Sequence, residues 1–389
     1  MQKLKLVLVF FSLWFCFGAS AGNNDLKTAN RVIGSVSRHF APDKRTALFD
    51  LVLRENSGQL ILKGKTNLPE AKRILLDSLS LLGISYRDSL LVLPSRSLGE
   101  KTWALVTLSV ANLRSGPDHA TELLSQAIMG TPLKVLEIEE NWYRVQTPDF
   151  YLGWMEGNGL ECFTEAEMNR WKKSDRYMFN RITGNAFESA KRKSGVITDL
   201  VLGDLFEVEA EVKGFFKIRT PDGRTGFVKK NECLSWTEWT SRKPDVQAVI
   251  AVARQLLGVP YLWGGTSCKS VDCSGMTKTA YFSQAIVLAR DASQQARYGQ
   301  IPDFTAMKNL ETGDLLFFGR NAQHITHVGL YMENGRYIHA SGMVRINSID
   351  PNDPAYNLND RKQLVSVSRI LNSINTEGIV PVKDHPWYK

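Results

Sequence analysis

The chain has 389 residues, 43% of them apolar and 23% charged, an ordinary globular composition with room for roughly two to four domains. Its formal net charge of +8 is scattered without a long basic run, which gives nucleic-acid binding little support; a basic exterior suits an anionic wall or membrane surface, but a generic basic surface reads the same way. Five cysteines in a chain of this size exclude a dense disulfide framework, because the chain is long enough to bury cores without one.

The first residues, MQKLKLVLVFFSLWFCFGASAG, have the form of a signal peptide over 1–21. Lys3 and Lys5 supply positive charge, Leu6 to Phe17 form an apolar stretch too short for a comfortable span, and Ala19-Ser20-Ala21 offers a small-residue cleavage site. The expectation is an exported chain, periplasmic or secreted, that starts near Gly22 and has lost Cys16 with its leader. No later stretch is apolar enough to span a membrane, so an integral membrane protein is not expected.

Residues 22–100 read as a small α+β domain without visible chemistry. Asn24 to His39 has a helical pattern, Phe49, Leu51 and Leu53 alternate as a strand, and Asn56-Ser57-Gly58 turns into a second strand at Gln59 to Lys63. Asn67 is placed to cap a helix that has Pro69 in its first turn, runs to Leu82 and stops at Gly83. A short strand, Ser89 to Leu93, follows.

An internal repeat comes next. GTPLKVLEIEENWYRVQTPDFYLGWM from Gly130 aligns without a gap on GDLFEVEAEVKGFFKIRTPDGRTGFV from Gly203, at an offset of 73. Val135 meets Val208, Trp142 meets Phe215, and Thr147-Pro148-Asp149 meets Thr220-Pro221-Asp222. Short alternating strands and a tight Pro-Asp turn suit a small, strongly bent barrel. The two copies, over 101–163 and 175–236, resemble the bacterial SH3-like modules of wall-associated hydrolases. Cys162 and Cys233 lie near their ends and are candidates for a disulfide.

TEWTSRKPDVQ, 237–247, reads as a linker. Residues 243–372 read as a mixed α/β catalytic domain, opened by a helix from Asp245 to Leu257 and its stop at Gly258-Val259-Pro260. Residues 373–389 form a tail without assigned order.

The chemistry centres on DCSGMTKTAYF, 272–282. Cys273 would sit at the start of a helix, where unpaired N–H groups and the helix dipole favour a thiolate. A nucleophilic thiol needs a base, and His324, His327 and His339 are the histidines of the domain. They lie in a hairpin pattern, with strands at His327–Met332 and Arg336–Ala340. A two-residue Asn-Gly loop would set His339 opposite Leu330, on the other face from His327. A three-residue loop with Gly335 left-handed pairs Met332 with Arg336 and His339 with Gly329, and puts both histidines on one face. The three-residue loop is the expectation, with His327 as base and His339 as its orienter. A strand histidine is often structural, and His324 with His327 suggests metal, but no third ligand stands out; no metal and no cofactor are expected.

PYLWGG, DCSG, GDLLFF and THVGLY…IHAS, in this order, resemble the NlpC-type bacterial cysteine peptidases of papain-like fold. With two SH3-like modules upstream, the chain is similar to the subgroup of γ-D-glutamyl-L-diamino acid endopeptidases that process murein peptides. The resemblance implies a multidomain α+β chain: an N-terminal α+β domain, two SH3-like β-barrels and a C-terminal papain-like domain. It assigns Cys273 as nucleophile, His327 as base, His339 as the third polar residue and Tyr261 as a donor near the oxyanion. It places Trp263, Asp272, Ser274, Asp291 and Ala292 along the substrate, with Ala292 able to offer only its backbone N–H. Glu122 and Tyr151, with Asp272, would hold the free amine of an N-terminal L-Ala, a role that the second module cannot repeat because Arg224 stands where the first has Tyr151. The implied partners are murein tripeptides or tetrapeptides, and peptidoglycan. The alternatives are a wall-lytic endopeptidase on intact stems, a wall-binding protein and an acyltransferase using the same thiol.

Overall fold

The computed structural model describes residues 21–56 and 59–389. Residues 1–20, nearly all of the signal peptide expected over 1–21, and Ser57-Gly58, where a turn is expected, lie outside them. The chain divides into two compact units. One takes residues up to Pro42 with Phe49–Leu91; the other takes Asp43–Leu48 and Val92–Lys389.

In the first unit, helix α1 (Ala21–Phe40) precedes strands β1 (Phe49–Asn56) and β2 (Gln59–Thr66), helix α2 (Pro69–Leu81) and strand β3 (Tyr86–Val92). The strands form one sheet in the order β1-β2-β3. Helix α2 buries Ala71, Leu75 and Leu79, a stripe at four-residue spacing. Its N-cap is Leu68, not Asn67, and Thr66 Oγ1 accepts from the Leu68 N–H at 3.0 Å. The unit ends near Leu91 rather than 100, and Asp43–Leu48 leaves it because its backbone is bound elsewhere. Arg45 O accepts from Leu152 N at 2.7 Å, and Thr46 O from Gln146 Nε2 at 2.8 Å.

The repeat appears strand for strand. The first copy has β4 (Trp103–Val106), β5 (Val110–Arg114), β6 (Leu123–Ile128), β7 (Pro132–Glu139), β8 (Trp142–Gln146), β9 (Leu152–Glu156) and β10 (Leu160–Phe163). Helix α3 (Glu165–Lys173) leads to β11 (Arg176–Phe179), β12 (Thr183–Phe187), β13 (Val196–Val201), β14 (Leu205–Val212), β15 (Phe215–Arg219), β16 (Thr225–Lys229) and β17 (Cys233–Ser235). Every strand of the second copy begins 73 residues after its counterpart, as from Trp103 to Arg176 and from Leu160 to Cys233. The sheets run β10-β4-β7-β8-β9-β5-β6 and, in the equivalent direction, β17-β11-β14-β15-β16-β12-β13. Both are open orders with two edge strands among the described residues, so the modules are bent sheets rather than closed barrels. Cys162 and Cys233 are free thiols in separate cores, which removes the candidate disulfide.

The expected linker is partly helical. Helix α4 (Trp236–Ser241) buries Trp239, whose Nε1 donates to Ser283 O at 3.0 Å. The catalytic domain follows with α5 (Val246–Gln255), β18 (Thr266–Ser267), β19 (Ser270–Val271), α6 (Cys273–Phe282), β20 (Ile286–Leu288), α7 (Ala292–Gln295), β21 (Leu315–Asn321), β22 (His324–Glu333), β23 (Arg336–Ser341), β24 (Met343–Ser348), α8 (Leu358–Gln363), β25 (Leu364–Ser368) and β26 (Ile379–Pro381). A five-stranded sheet, β24-β23-β22-β21-β25, carries α6, whose Met276, Ala280 and Tyr281 share a core with Leu315, Phe317, Val328 and Ile338. No helix among the described residues is long and apolar enough to cross a membrane.

The tail is ordered. Strand β26 pairs with β20, His385 Nε2 donates to Pro148 O at 2.8 Å, and Trp387 stacks edge-on to Trp103 at 5.8 Å. Its aromatic residues find walls in the first module, α4 and α6, which sequence periodicity does not reveal.

Candidate active site

Two glycine loops build the start of α6. Asp272 caps the helix, its Oδ1 accepting from Gly275 N at 2.7 Å and its Oδ2 from Gly264 N at 3.0 Å. A Cβ on Gly275 would stand 2.0 Å from Gly265 O, and one on Gly264, at φ +81°, would stand 2.5 Å from Leu123 O of the first module. Those glycines therefore let helix, loop and module approach backbone to backbone. The Cys273 thiol is buried, beside the backbone N–H groups of Val328 and Ser274. Residue 328 directly follows His327.

The hairpin reaches the expected register by another route. Its loop is Asn334-Gly335, with φ +51° and +77°, the two-residue geometry that Asn-Gly favours, and not a three-residue loop. Glu333 pairs with Arg336, but Tyr331 pairs with Tyr337 and Leu330 with Ile338, so Met332 is an extra residue in β22. This bulge restores the parity that a plain two-residue loop would have broken. It is held from outside: Thr312 Oγ1 donates to Met332 O, and Gly313 N donates to Tyr331 O at 2.9 Å.

His327 and His339 thus meet, Nε2 of the first 2.7 Å from Nδ1 of the second. Burial, with His339 beside it, pushes His327 down to about 4, and burial also lowers His339. Burial, with the negative Asp272 near, pushes the Cys273 thiol up to about 12. Desolvation thus works against the thiolate that the helix start favours, and it favours a thiol beside a neutral imidazole. Tyr261 is pushed up to about 12 by burial, with the Cys273 and Asp272 charges adding to it, so its hydroxyl keeps its proton for donation.

On the side of the first module, Tyr151 donates to Asp291 Oδ2 at 3.1 Å, and Trp263 Nε1 donates to Glu122 Oε1 at 2.8 Å. Trp263 is exposed. Asp272 is not an open anion for an amine. Arg290, fully buried, sets Nη2 2.6 Å from its Oδ2 and Nη1 3.1 Å from its Oδ1. Ser274 Oγ is buried and bonds both Asp272 Oδ1 and Arg290 Nη1 at 3.1 Å. Ala292 is buried as the first residue of α7, behind its cap Asp291. Glu122 stands outside that pair, while Asp291 is met by Arg45 at 2.8 Å and lies 3.9 Å from Arg290 Nη1.

Three residues escaped the sequence reading. Arg290 stood inside ARDASQQA, but an arginine beside an aspartate carries no sign of burial. Arg45 donates from Nη1 to Asp291 Oδ2 at 2.8 Å and to Ser293 Oγ at 3.0 Å, from a segment 246 residues away. Asn347 lies 2.8 Å from His339 Nε2, and a lone strand asparagine gives no signal.

Residues 258–361 match the model of the NlpC/P60 family, and residues 113–160 match the bacterial dipeptidyl-peptidase Sh3 domain. The chain is 28% identical to dipeptidyl-peptidase 6 of Lysinibacillus sphaericus, over 65% of this chain and 94% of that protein. It is 28% identical to the γ-D-glutamyl-L-lysine dipeptidyl-peptidase of Bacillus cereus, over 67% of this chain and 77% of that protein. A crystal structure of an NlpC/P60 family protein from Bacillus cereus shares the fold, with a TM-score of 0.60 and 22% identity over 69% of this chain and 99% of that one. The domain matches and the relatives together show an NlpC/P60 domain preceded by a dipeptidyl-peptidase Sh3 domain, and make the chain a cysteine peptidase.

Proposed function

We propose that the chain hydrolyses the γ-D-glutamyl–diamino acid bond of murein peptides that begin with a free L-Ala. The names of its relatives support the bond, and one observation carries the free amine: Glu122 and Tyr151 of the first module stand against Trp263 and Asp291 of the catalytic domain. A module fixed at that point leaves a carboxylate and a hydroxyl for an ammonium group. On this reading the module would exclude a sugar amide-linked to the alanine.

The mechanism uses the groups as they stand. As Cys273 Sγ attacks the γ-carbonyl, its proton passes to His327 Nδ1. The developing oxyanion takes hydrogen bonds from the Cys273 backbone N–H and the Tyr261 hydroxyl. His327 then gives the proton to the departing diamino-acid amine, leaving a thioester. A water, deprotonated by His327, attacks the thioester and releases the L-Ala-D-Glu dipeptide with the thiol restored. Residues 1–21 support export to the periplasm or beyond, a setting where such peptides occur; N-terminal sequencing of the secreted protein tests it.

Cleavage of L-Ala-γ-D-Glu-diaminopimelate and of its N-acylated form, followed by mass spectrometry, separates the readings. Cleavage of the free-amine peptide alone is expected. Equal cleavage of both would favour a wall-lytic enzyme, and cleavage of neither a wall-binding protein.

A further inference from the structure

A diagonal line of side chains crosses three neighbouring strands: His327 on β22, His339 on β23 and Asn347 on β24. His327 Nε2 lies 2.7 Å from His339 Nδ1, and His339 Nε2 lies 2.8 Å from Asn347 Oδ1. Asn347 Nδ2 in turn donates to the backbone carbonyl of Ala355 at 3.2 Å. That last contact gives the line a direction. A carbonyl oxygen can only accept, so the amide must turn its NH2 to Ala355 and its oxygen to His339. The Ala355 carbonyl is itself anchored, because it also accepts from Ser348 N at 2.9 Å.

An amide oxygen has no proton to give. His339 must therefore carry its proton on Nε2 and present a bare Nδ1 to His327. His327 must then carry its proton on Nε2, which leaves its Nδ1 as a lone pair. Read the other way, with the proton of His339 on Nδ1, His327 would accept at Nε2 and carry its proton on Nδ1, where it could take nothing from a thiol. The pair of histidines alone allows both directions.

We propose that Asn347 is a positioning residue that sets the direction of the histidine pair, fixing the tautomer in which His327 is a base toward Cys273. It touches neither substrate nor thiol and acts through His339. The inference rests on Cys273 and His327 being the reacting pair, but not on which peptide is cut.

Other groups face the same histidines. Asp360 on α8, whose carboxylate accepts from the Tyr337 hydroxyl, favours their charged forms. Arg345 on β24 opposes them, and Asp272 before α6 favours a charged His327. These shift how readily the histidines ionise, but neither Asp360 nor Arg345 donates to or accepts from their ring nitrogens among the described contacts.

The test uses the whole chain with three variants read in parallel. Asn347→Leu removes the acceptor at similar size. It should lower kcat by about 10–100-fold, taking as a guide the cost of losing an outer partner of a metal-ligating histidine, with KM little changed. Two-bond proton–nitrogen NMR should find His327 and His339 as Nε2–H tautomers in the native chain and mixed in Asn347→Leu. Asn347→Asp keeps an acceptor facing His339. It should recover most of kcat, retain the Nε2–H pattern and move the acid limb of the rate to higher pH, because a carboxylate there favours imidazolium. Asp360→Asn serves as the control that alters charge without touching the line: the acid limb should move to lower pH and the tautomers should hold. Unchanged kcat in Asn347→Leu would overturn the inference, as would loss of kcat with tautomers unaltered, or no recovery in Asn347→Asp. A native chain that cuts no murein peptide would instead count against the proposed substrate and leave the tautomer result standing.

Discussion

Tyr151 and Arg45 bond the same carboxylate oxygen, Asp291 Oδ2, at 3.1 and 2.8 Å. One comes from the first SH3-like module and the other from the Asp43–Leu48 segment, so three distant stretches of chain converge beside α7. Asp291 is thereby partly neutralised, and the Tyr151 hydroxyl is held in place. If the tyrosine helps bind the substrate amine, Tyr151→Phe should raise KM for free-amine peptides by about 10-fold, the worth of one charge-assisted hydrogen bond, with kcat nearly unchanged. Steady-state kinetics on the tripeptide check this, and a loss confined to kcat would contradict the assignment.

The acid side of the pH profile should be unusually low. His327 must be neutral to take the Cys273 proton, and burial moves it from the ordinary 6.5 to about 4. Because the folded value is depressed, the base form persists as pH falls through 6.5 and is lost only near 4. The expected kcat/KM at pH 5.5 is within about two-fold of that at pH 7. An acid limb centred near 6.5 would count against it.

Alkylation of the free enzyme reads the thiol separately. With Cys273 raised to about 12, the rate with iodoacetamide should climb tenfold per pH unit through pH 9, following the thiolate fraction. A plateau below pH 6 would mean a standing thiolate–imidazolium pair.

How much of this was legible in sequence depends on distance along the chain. The repeat was open to view because both copies carry the same turns, down to paired Thr147–Asp149 and Thr220–Asp222 contacts of 2.5 Å. The pairing of His327 with His339 was right for the wrong loop. Asn-Gly does what its backbone preference dictates, and parity is rescued by a bulge at Met332, which answers to Thr312 and Gly313 from another loop. Local rules cannot see such a partner. The same holds for Asp272. Its cap to Gly275 N is made within four residues, but its ion pair is with Arg290, 18 positions on, whose Nε also donates to Ser125 Oγ of the first module. A thiol at a helix start reads as activated until the walls around it are known.

That buried pair should be a structural keystone. Arg290 has no exposure, and its Nε also donates to Ser125 Oγ at 2.8 Å. Arg290→Met leaves Asp272 charged in a dry site and should destabilise the chain by about 3–5 kcal/mol, seen as a lower denaturant midpoint. Asp272→Asn keeps the N-cap acceptor but strands the guanidinium, and should cost a similar amount. A loss under 1 kcal/mol in both would show that the pair is hydrated.

Gly275 tests the close approach of α6 to its loop. An added methyl would stand 2.0 Å from Gly265 O, and that obstacle is backbone, which cannot swing aside as a side chain would. Gly275→Ala must push α6 from the Gly264-Gly265 turn and carry Cys273 away from Val328. Overpacking of this kind costs about 1–3 kcal/mol, and a misplaced nucleophile loses rate on top of it. The expected result is a folded, less stable chain whose kcat falls at least about 100-fold.

The tail is the last element with a measurable role. Trp387 and Tyr388 are buried, Arg176 Nη1 donates to Tyr388 O at 3.0 Å, and the Arg176 guanidinium lies 3.8 Å over the Trp236 ring. Arg176 is lowered by burial, to about 10, and the Tyr388 carbonyl is one of the two backbone oxygens that bond it, the other being Lys172 O. Deleting residues 385–389 removes both aromatic rings and leaves that cation half-satisfied. By the cost of truncating one large core aromatic, the loss is at least about 3–5 kcal/mol. Since these rings touch the first module, α4 and α6 together, the deletion should also loosen the module from the catalytic domain. Limited proteolysis should then cut the chain between 163 and 176 before the catalytic domain unfolds, and an unchanged digestion pattern would show that the tail is dispensable.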